Sequence, residues 1–342
     1  MAGKITDDSA PSTLTALTLA GVLAGVNVEV PAEMLVDRLP KNLGLSITAN
    51  SGTHALTIAM KQADGSSDPS AAGPVVIPMR SSTLTSGAWA FRVVTSALSL
   101  VISSGSTLGA CPVASVISGI YVYVIDNAGA LELAVSYKYF GQEGIVSTTA
   151  EGGAGGADTG TTMYSTTARS NVAFALIGFF KIAEATPGAW DTAPVSVQVG
   201  RIEKERVAFH ANKNSSDQSG IASATQTDIT FTNEVFDIGD YYDATNSDWY
   251  PPPGQVRVSC QMRLSGGIVD VNEISAIVRK GGGSNLQTTG QASGTGDQAT
   301  MVNALYDVNG SQAIDVRLYA AGAGTKTVSG NANYTFFQGE TI

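Results

Sequence analysis

The chain has 342 residues and a mass of 35.1 kDa, and 43% of its residues are apolar while 14% are charged. This length allows one large or two ordinary domains with real hydrophobic cores. The formal net charge of −10 leaves no basic patch for phosphates, which excludes a reader of duplex DNA or RNA. With 38 glycines and many Ser, Thr, Ala and Val residues, the composition favours short strands and tight turns.

Cysteine and histidine are each present only twice, too few for a disulfide scaffold or the common zinc sites. Cys111 and Cys260 lie in segments predicted to belong to different domains, so we expect both to be small buried hydrophobes. His54 and His210 have no second His or Cys at ligand spacing, and both fall in strand-like patterns. We therefore predict no metal site and no cofactor.

The N-terminal segment, residues 1–40, lacks the basic region of a secretory signal, and no apolar stretch is long enough to span a bilayer. We expect a soluble chain without membrane insertion. Its apolar residues recur in short extended pieces, and the pattern that follows Pro31 predicts one short helix ending at Leu39. A segment this small cannot bury its own apolar face, so it should pack on a partner chain or on the next domain.

Residues 41–200 are predicted to form a middle β-sandwich domain. Apolar and polar residues alternate over residues 43–60 around a turn at 50–52, which predicts a hairpin. The continuous apolar run at residues 172–182 predicts a strand that is covered on both faces. The low-complexity stretch at residues 149–161 is expected to be a mobile loop. Further strands are predicted near residues 74–80, 89–95, 98–103, 120–125, 131–136 and 195–199.

Residues 201–342 are predicted to form a second β-domain, which begins at a cluster of charged residues. Its short, evenly spaced strands indicate a sandwich or a jelly roll, and no internal repeat of fixed period is present. The predicted strands lie near residues 207–211, 227–231, 255–264, 274–279, 299–305, 313–319 and 333–337.

Short aromatic and proline motifs mark this C-terminal domain. They are an opening strand at 207–211, an aromatic stretch at 229–243, the turn Trp249-Tyr250-Pro251-Pro252-Pro253-Gly254 and a closing Phe337-Gln338-Gly339. In these motifs the domain resembles the trimeric jelly-roll head of the complement globular-head and tumour-necrosis-factor superfamily. The resemblance implies a homotrimer, although Val256, Arg257 and Val258 stand where the family has aromatic residues.

The N-terminal segment at residues 15–39 is similar to the attachment segments of bacteriophage tail fibres. The stretches 41–45, 120–129, 151–156 and 165–171 are similar to a module that recurs in phage fibres. This resemblance implies an elongated homotrimer in the virion tail, assembled in the host cytoplasm and acting outside the cell. The N-terminus would dock onto a baseplate or another tail protein, and the jelly roll would bind a host-surface glycan or protein. The docking residues would be Leu14, Leu17, Leu19, Val22, Met34, Leu35 and Leu39.

The densest group of aromatic and acidic residues lies between positions 237 and 250. It contains Asp237, Asp240, Tyr241, Tyr242, Asp243, Asp248, Trp249 and Tyr250. Aromatic rings stack on sugars, and carboxylates accept hydroxyl hydrogen bonds or bind calcium, although the spacing lacks the D-x-D-x-D-G pattern. The favoured alternative is that the rings fill the core or a trimer interface while the aspartates cap turns.

Two glycine-rich stretches, at residues 281–283 and 290–296, offer a second candidate for receptor binding. Asn285 and Gln287 lie beside them, and their amides could recognise a glycan. The favoured alternative is that these stretches are flexible connections between strands.

No nucleophile lies in a Gly-x-Ser-x-Gly pattern, and only two histidines could act as a base. The carboxylate pairs Glu203 with Glu205 and Asp270 with Glu273 have neighbours typical of solvated turns, which disfavours a glycosidase. We therefore predict a receptor-binding tail-fibre protein without enzymatic activity, in which multivalency strengthens weak single contacts. A capsid decoration or head fibre and a polysaccharide depolymerase stay open as alternatives.

Overall fold

The computed structural model describes residues 18–23, 26–31, 39–80, 89–110, 114, 116–152, 158–265, 271–281, 284–294 and 297–342. The regular elements in these residues are β-strands, which confirms the all-β prediction for them. The helix predicted before Leu39 falls on residues 32–38, outside the described residues. Within the described part of the chain, no helix is long and apolar enough to cross a membrane.

The strands fall into an N-terminal hairpin, a middle unit and a C-terminal unit. The hairpin consists of β1 (Thr18–Leu23) and β2 (Val26–Pro31). The middle unit contains β3 (Gly44–Asn50), β4 (Ala55–Lys61), β5 (Val75–Arg80), β6 (Trp89–Val94), β7 (Leu98–Ile102), β8 (Ile117–Asn127), β9 (Ala130–Ser136), β10 (Glu143–Ala150), β11 (Tyr164–Ser165), β12 (Arg169–Ala183) and β13 (Ser196–Val199). The C-terminal unit contains β14 (Ala208–Asn212), β15 (Gln218–Ile221), β16 (Gln226–Asp228), β17 (Asn233–Ile238), β18 (Tyr242–Asp243), β19 (Asp248–Trp249), β20 (Gly254–Ser265), β21 (Val271–Lys280), β22 (Ser284–Gly294), β23 (Gln298–Val308), β24 (Ile314–Ala321), β25 (Lys326–Val328) and β26 (Phe336–Thr341).

The main sheet of the middle unit closes on itself. Pairing runs from β12 to β8, from β8 to β9, from β9 to β11, from β11 to β10 and from β10 back to β12. Bulges interrupt β12 between Leu176 and Gly178 and β10 between Val146 and Thr148, and such bulges bend a strand and increase its twist. The predicted sandwich is therefore a closed ring of strands, with the smaller sheets β3-β4-β7 and β5-β6 beside it.

The long strands β8 and β12 are buried on both faces, as the apolar run at residues 172–182 predicts. Tyr121 and Tyr123 of β8 pack with Phe174 of β12 in an aromatic cluster. The alternate residues of β8, such as Val122, belong to the main hydrophobic core instead. Because successive side chains of a strand point to opposite faces, a two-sided core requires the nearly continuous apolar sequence seen here.

The C-terminal unit is a sandwich of two antiparallel sheets with jelly-roll character. In the first sheet the order is β15-β25-β20-β26-β14-β17, and β23 pairs with β20. The second has the order β18-β19-β24-β21-β22, and β16 pairs with β24. The chain passes between the sheets after β20, β22, β23 and β24, which is how a jelly roll covers its core from both sides.

Two loop predictions differ from the structure. Residues 290–294 lie in β22, where they pair with the ladder of β21, so the prediction of a flexible connection is wrong for them. Glycine tolerates extended backbone, and the buried strand β21 supplies the hydrogen bonds. In the stretch 149–161, residues 149 and 150 end β10, and Asp158 Oδ2 accepts a hydrogen bond from Thr107 N at 2.8 Å. Residues 153–157 of that stretch lie outside the described residues.

The histidines and cysteines have structural positions. His54 lies in the turn between β3 and β4 with a φ of 52°, so its strand prediction is wrong, and its Nδ1 is 2.6 Å from Asp191 Oδ1. His210 lies in β14 as predicted. Cys260 is fully buried, as expected of a small hydrophobe, while Cys111 lies outside the described residues.

A hydrogen-bond network centred on Glu205 joins the middle unit to the jelly roll. Its carboxylate accepts a hydrogen bond from Tyr241 Oη at 2.8 Å and pairs with Lys181 Nζ at 2.7 Å. Tyr241 Oη also accepts from Gly119 N at 2.9 Å, and Glu205 N donates to Tyr121 Oη at 2.9 Å. Gly119 of β8 and Lys181 of β12 are paired directly opposite each other in the ladder. The jelly roll is therefore attached to both strands at the same position along the ladder.

Replacing Tyr241 with phenylalanine should destabilise the protein by about 2 kcal/mol, because Gly119 N and Glu205 each lose a buried hydrogen-bond partner. Urea unfolding of the full chain measures the loss. The matched control is Tyr306→Phe, since Tyr306 Oη is buried without a hydrogen-bond partner in the described part of the chain. Equal stability losses in the two variants would contradict the role given to Tyr241.

Candidate functional site

The aromatic residues predicted at positions 241–250 form part of the jelly-roll core. Phe209 stacks on Tyr242 with ring centroids 4.6 Å apart, and it contacts Trp249 at 5.0 Å and Phe337 at 4.8 Å. The rings of Tyr241 and Trp249 have no exposed surface, and Tyr242 and Tyr250 are also buried. A sugar cannot stack on a buried ring, so the expectation that these four aromatic residues bind a receptor is incompatible with their positions.

The closing Phe337-Gln338-Gly339 motif has a packing explanation. A Cβ atom at Gly339 would lie 2.5 Å from the Trp249 ring and 2.9 Å from the Phe209 ring. No side chain fits there unless these large rings move. The glycine of this motif therefore lets β26 approach the aromatic core closely.

The aspartates of the same segment cap turns and strand ends. Asp243 accepts hydrogen bonds from Thr245 N at 2.9 Å and from Asn246 Nδ2 at 2.7 Å. Asp237 Oδ2 accepts from Tyr242 N at 2.6 Å. Asp240 occupies a left-handed turn with a φ of 65°. The aspartates therefore cap turns, as the favoured alternative predicts. Among the described residues, no group of His, Cys, Asp and Glu side chains is placed to hold a metal ion.

Two of these aspartates lie in surroundings that oppose ionisation. Burial, with the nearby carboxylates of Glu234 and Asp240, raises the pKa of Asp237 to about 6. Burial, with the nearby carboxylate of Asp315, likewise raises the pKa of Asp248 to about 6. Tyr250 Oη donates to Asp248 Oδ2 at 3.3 Å, and burial raises the pKa of Tyr250 as well. Desolvation thus raises the pKa of ionisable groups in this part of the jelly roll.

The remaining predicted residues lie elsewhere. Asn285 and Gln287 are in β22, paired with Arg279 and Val278 of β21, and not in a loop. Leu19 and Val22 are in β1, and Leu39 is exposed. The other predicted docking residues, Leu14, Leu17, Met34 and Leu35, lie outside the described residues. Among the residues it describes, the structure therefore shows no contact between the predicted receptor-binding residues and the predicted docking residues.

One face of the jelly roll is open to solvent and carries large apolar side chains. It is the outer face of the sheet β17-β14-β26-β20-β23, and we call it the outer face. The strand registers give three rows across it: Ile238, Ala208, Glu340, Arg257 and Leu305; Phe236, His210, Gln338, Ser259 and Asn303; and Asn233, Asn212, Phe336, Gln261 and Met301. Composition and periodicity did not identify this surface, because only the register shows which residues share it.

The most exposed large apolar residues of the outer face lie towards its two edges, while Phe336 is half-buried on the central strand β26. Phe236 and Ile238 are 47% and 56% exposed on β17, and Leu305 is 65% exposed on β23 at the opposite edge. Between them, His210 stacks on Phe236 with ring centroids 6.1 Å apart, and its Nδ1 lies 3.0 Å from Gln338 Oε1. The surface therefore combines two different apolar edges with a polar centre.

Comparison with solved structures finds similar chains for about two fifths of this one. Murine APRIL at pH 8.5 is 13% identical with a TM-score of 0.32, and the match covers 40% of this chain and 100% of that chain. The globular domain of zebrafish complement 1qA protein is 11% identical with a TM-score of 0.28, covering 41% and 98%. Eiger TNF from S. frugiperda is 14% identical with a TM-score of 0.32, covering 40% and 92%.

Such low TM-scores support no inference, and the jelly-roll character stated above follows from the strand pairing of this chain. No protein-family model and no curated protein matches the chain.

Replacing Asp248 with asparagine should raise the thermal midpoint at pH 7. The folded-state pKa of about 6 exceeds the value of about 3.9 expected when the chain is unfolded, so the folded state binds more protons between these values. Asp248 therefore costs stability progressively as the pH rises from about 4 to about 6, and asparagine removes that cost. Thermal unfolding of the wild type and the variant is followed by circular dichroism at pH 4 and at pH 7. The first pH lies before this stability cost appears, and the second lies after it is complete.

Asp64→Asn is the control, because its effect on the thermal midpoint at pH 7 should have the opposite sign. Hydrogen bonds from Ser66 and Ser67 lower the pKa of Asp64 to about 2, so its ionised form stabilises the fold at pH 7. This variant should lower the midpoint at pH 7. A lower midpoint in Asp248→Asn at the same pH would contradict the prediction.

Proposed function

We propose that the protein is a structural, non-catalytic component of a bacteriophage tail fibre, in which three jelly rolls assemble and bind the host surface. The observation that carries the assembly part is the outer face, where large apolar residues stay exposed on a well-paired sheet. Large apolar side chains grouped on the exposed surface of a folded domain mark an interaction site, and here one group lies on β17 and another on β23. Covering it with further copies of the chain removes that surface from water.

The distribution of the apolar residues favours a ring over a two-fold dimer. One edge of the outer face carries Phe236 and Ile238, and the other carries Leu305 and Met301. A contact in which one edge meets the other edge of the next copy is head-to-tail, and such contacts close into rings such as a trimer. The strands β17 and β23 would then be protected from pairing with other chains.

The joint at Glu205 supports a fibre-like role for the middle unit. Its bonds to Tyr241 and Lys181 tie the jelly roll directly to β8 and β12. A head held in this way presents its far end away from the middle unit. In the proposed fibre the N-terminal segment docks onto a baseplate or another tail protein, and several heads per particle add up to high avidity.

The contacts of the candidate catalytic carboxylates support the non-catalytic part of the proposal. Glu205 was a candidate acid together with Glu203, but its two carboxylate oxygens contact Lys181 and Tyr241. Both contacts hold the carboxylate in a fixed position inside the joint. A glycosidase needs one carboxyl that exchanges a proton with the substrate.

Light scattering of the full chain tests the assembly. We expect a mass of about three times the chain mass of 35.1 kDa, and a return to the monomer mass in Leu305→Glu, because a buried charge opposes the contact. Val101→Glu is the matched control, since Val101 is an exposed apolar residue of β7 in the middle unit. Circular dichroism confirms that both variants are folded.

A monomeric wild-type chain would contradict the trimer, and unchanged assembly of Leu305→Glu would contradict the contact through the outer face. Release of reducing ends from host polysaccharide would contradict the non-catalytic assignment and favour the depolymerase.

A further inference from the structure

The end of the jelly roll farthest from the middle unit is formed by a small set of turns. β14 starts beside the Glu205 joint and runs away from it, so its last residue Asn212 and the paired residue Phe336 lie towards the far end. The turns at residues 213–217 and 329–335 follow at this end, next to the end of β20. We call these turns, with Asp297 before β23, the distal tip.

Tyr334 is the exposed aromatic residue of the described part of the distal tip. Its guanidinium neighbour Arg263 lies over the ring, with Cζ 4.5 Å from the ring centroid, and Arg263 also forms an ion pair with Asp297. Tyr334 is 43% exposed although this guanidinium covers one of its faces. The side chain is therefore accessible to a ligand, and the cation–π contact limits the motion of the ring.

The turn that carries Tyr334 is held on both sides. Tyr334 N and Thr335 N donate to Asn331 O at 3.0 Å, which closes the turn. Ser329 N donates to Arg263 O at 2.7 Å, which ties it to β20. Gly330 N donates to Asp217 Oδ1 at 2.6 Å, which ties it to the neighbouring turn. A ring on so well connected a turn is pre-organised, so little ordering remains to be done on binding.

The positively charged side chains in and beside the distal tip all have partners within the protein. Lys326 is buried, and its ammonium donates to Gly322 O and Gly324 O at 3.1 Å and to Ala323 O at 3.4 Å. Lys213 is also buried and donates to Thr230 O at 2.8 Å. Arg263 is neutralised by Asp297. An anionic sugar or a phosphate would therefore meet no free positive charge in the described distal tip, and the net charge of −10 would repel it.

We propose that Tyr334 is the centre of a subsite for a neutral pyranose sugar. The accessible part of the Tyr334 ring contacts the apolar C–H face of the sugar. The exposed Asn333 adds an amide donor and acceptor beside Tyr334. This inference rests on the proposed role of the jelly roll as the host-binding head, and it replaces the buried aromatic residues at positions 241–250 as the sugar-binding residues.

Saturation-transfer NMR on the full chain tests the subsite. The probes are the methyl glycosides of glucose, galactose and mannose, N-acetylglucosamine, and the anionic N-acetylneuraminic acid. At least one neutral probe should receive saturation at its ring protons. In Tyr334→Ala its affinity should fall at least tenfold, about 1.4 kcal/mol. Tyr334→Phe keeps the ring and should keep the binding.

Phe91→Ala is the matched control, because Phe91 is an exposed aromatic residue of β6 in the middle unit. It should bind the neutral probes as the wild type does. The proposal is overturned if no neutral probe binds, if Tyr334→Ala binds as well as the wild type, or if N-acetylneuraminic acid is preferred. A lower solution mass for Tyr334→Ala would also overturn it, since Tyr334 would then be a contact between copies.

The outcomes separate this subsite from the proposed fibre assembly. A monomeric wild-type chain that binds a neutral sugar through Tyr334 supports the subsite while the trimer fails. A trimer that binds none of the neutral probes leaves the assembly standing while the subsite fails.

Discussion

The architecture depends on the partly buried carboxylate of Glu205, because it is where two folding units become one body. Its charge is balanced by Lys181 of β12, and its second oxygen accepts a hydrogen bond from Tyr241 of the jelly roll. Burying a carboxylate without such partners costs free energy, so these contacts favour this relative position of the two units. The continuous hydrophobic core that includes Val122 and Phe209 crosses the same joint.

Most large aromatic residues of the jelly roll are buried in its core. Phe209, Trp249 and Phe337 pack so tightly that β26 needs a glycine opposite them. These core rings are buried and cannot contact another molecule. Tyr334, in the turn before β26, is an exposed aromatic residue instead, and the Arg263 guanidinium lies over its ring.

The sequence predicted those elements whose pattern is local. The hairpin at residues 43–60 and the doubly covered strand β12 follow from apolar periodicity, which depends only on neighbours along the chain. The glycine-rich strand β22 could not be predicted in this way, because its stability comes from the distant strand β21. For the same reason the clustering at positions 237–250 left a surface site open beside the favoured core and turn-capping interpretation, and the burial of Trp249 decides for the core. The tip around Tyr334 joins residues 263, 297 and 334, a combination that no spacing in the sequence reveals.

The closed ring of β8, β9, β11, β10 and β12 has a mechanical meaning. The joint holds Gly119 and Lys181, which face each other across the ladder between β8 and β12. A force applied to the jelly roll therefore reaches two paired strands together and is shared by the whole length of their ladder. Peeling a strand from an open sheet breaks its hydrogen bonds one after another, whereas here the neighbours in the ring hold both strands from the other side. Tension between the two units would therefore load the ladder between β8 and β12 first.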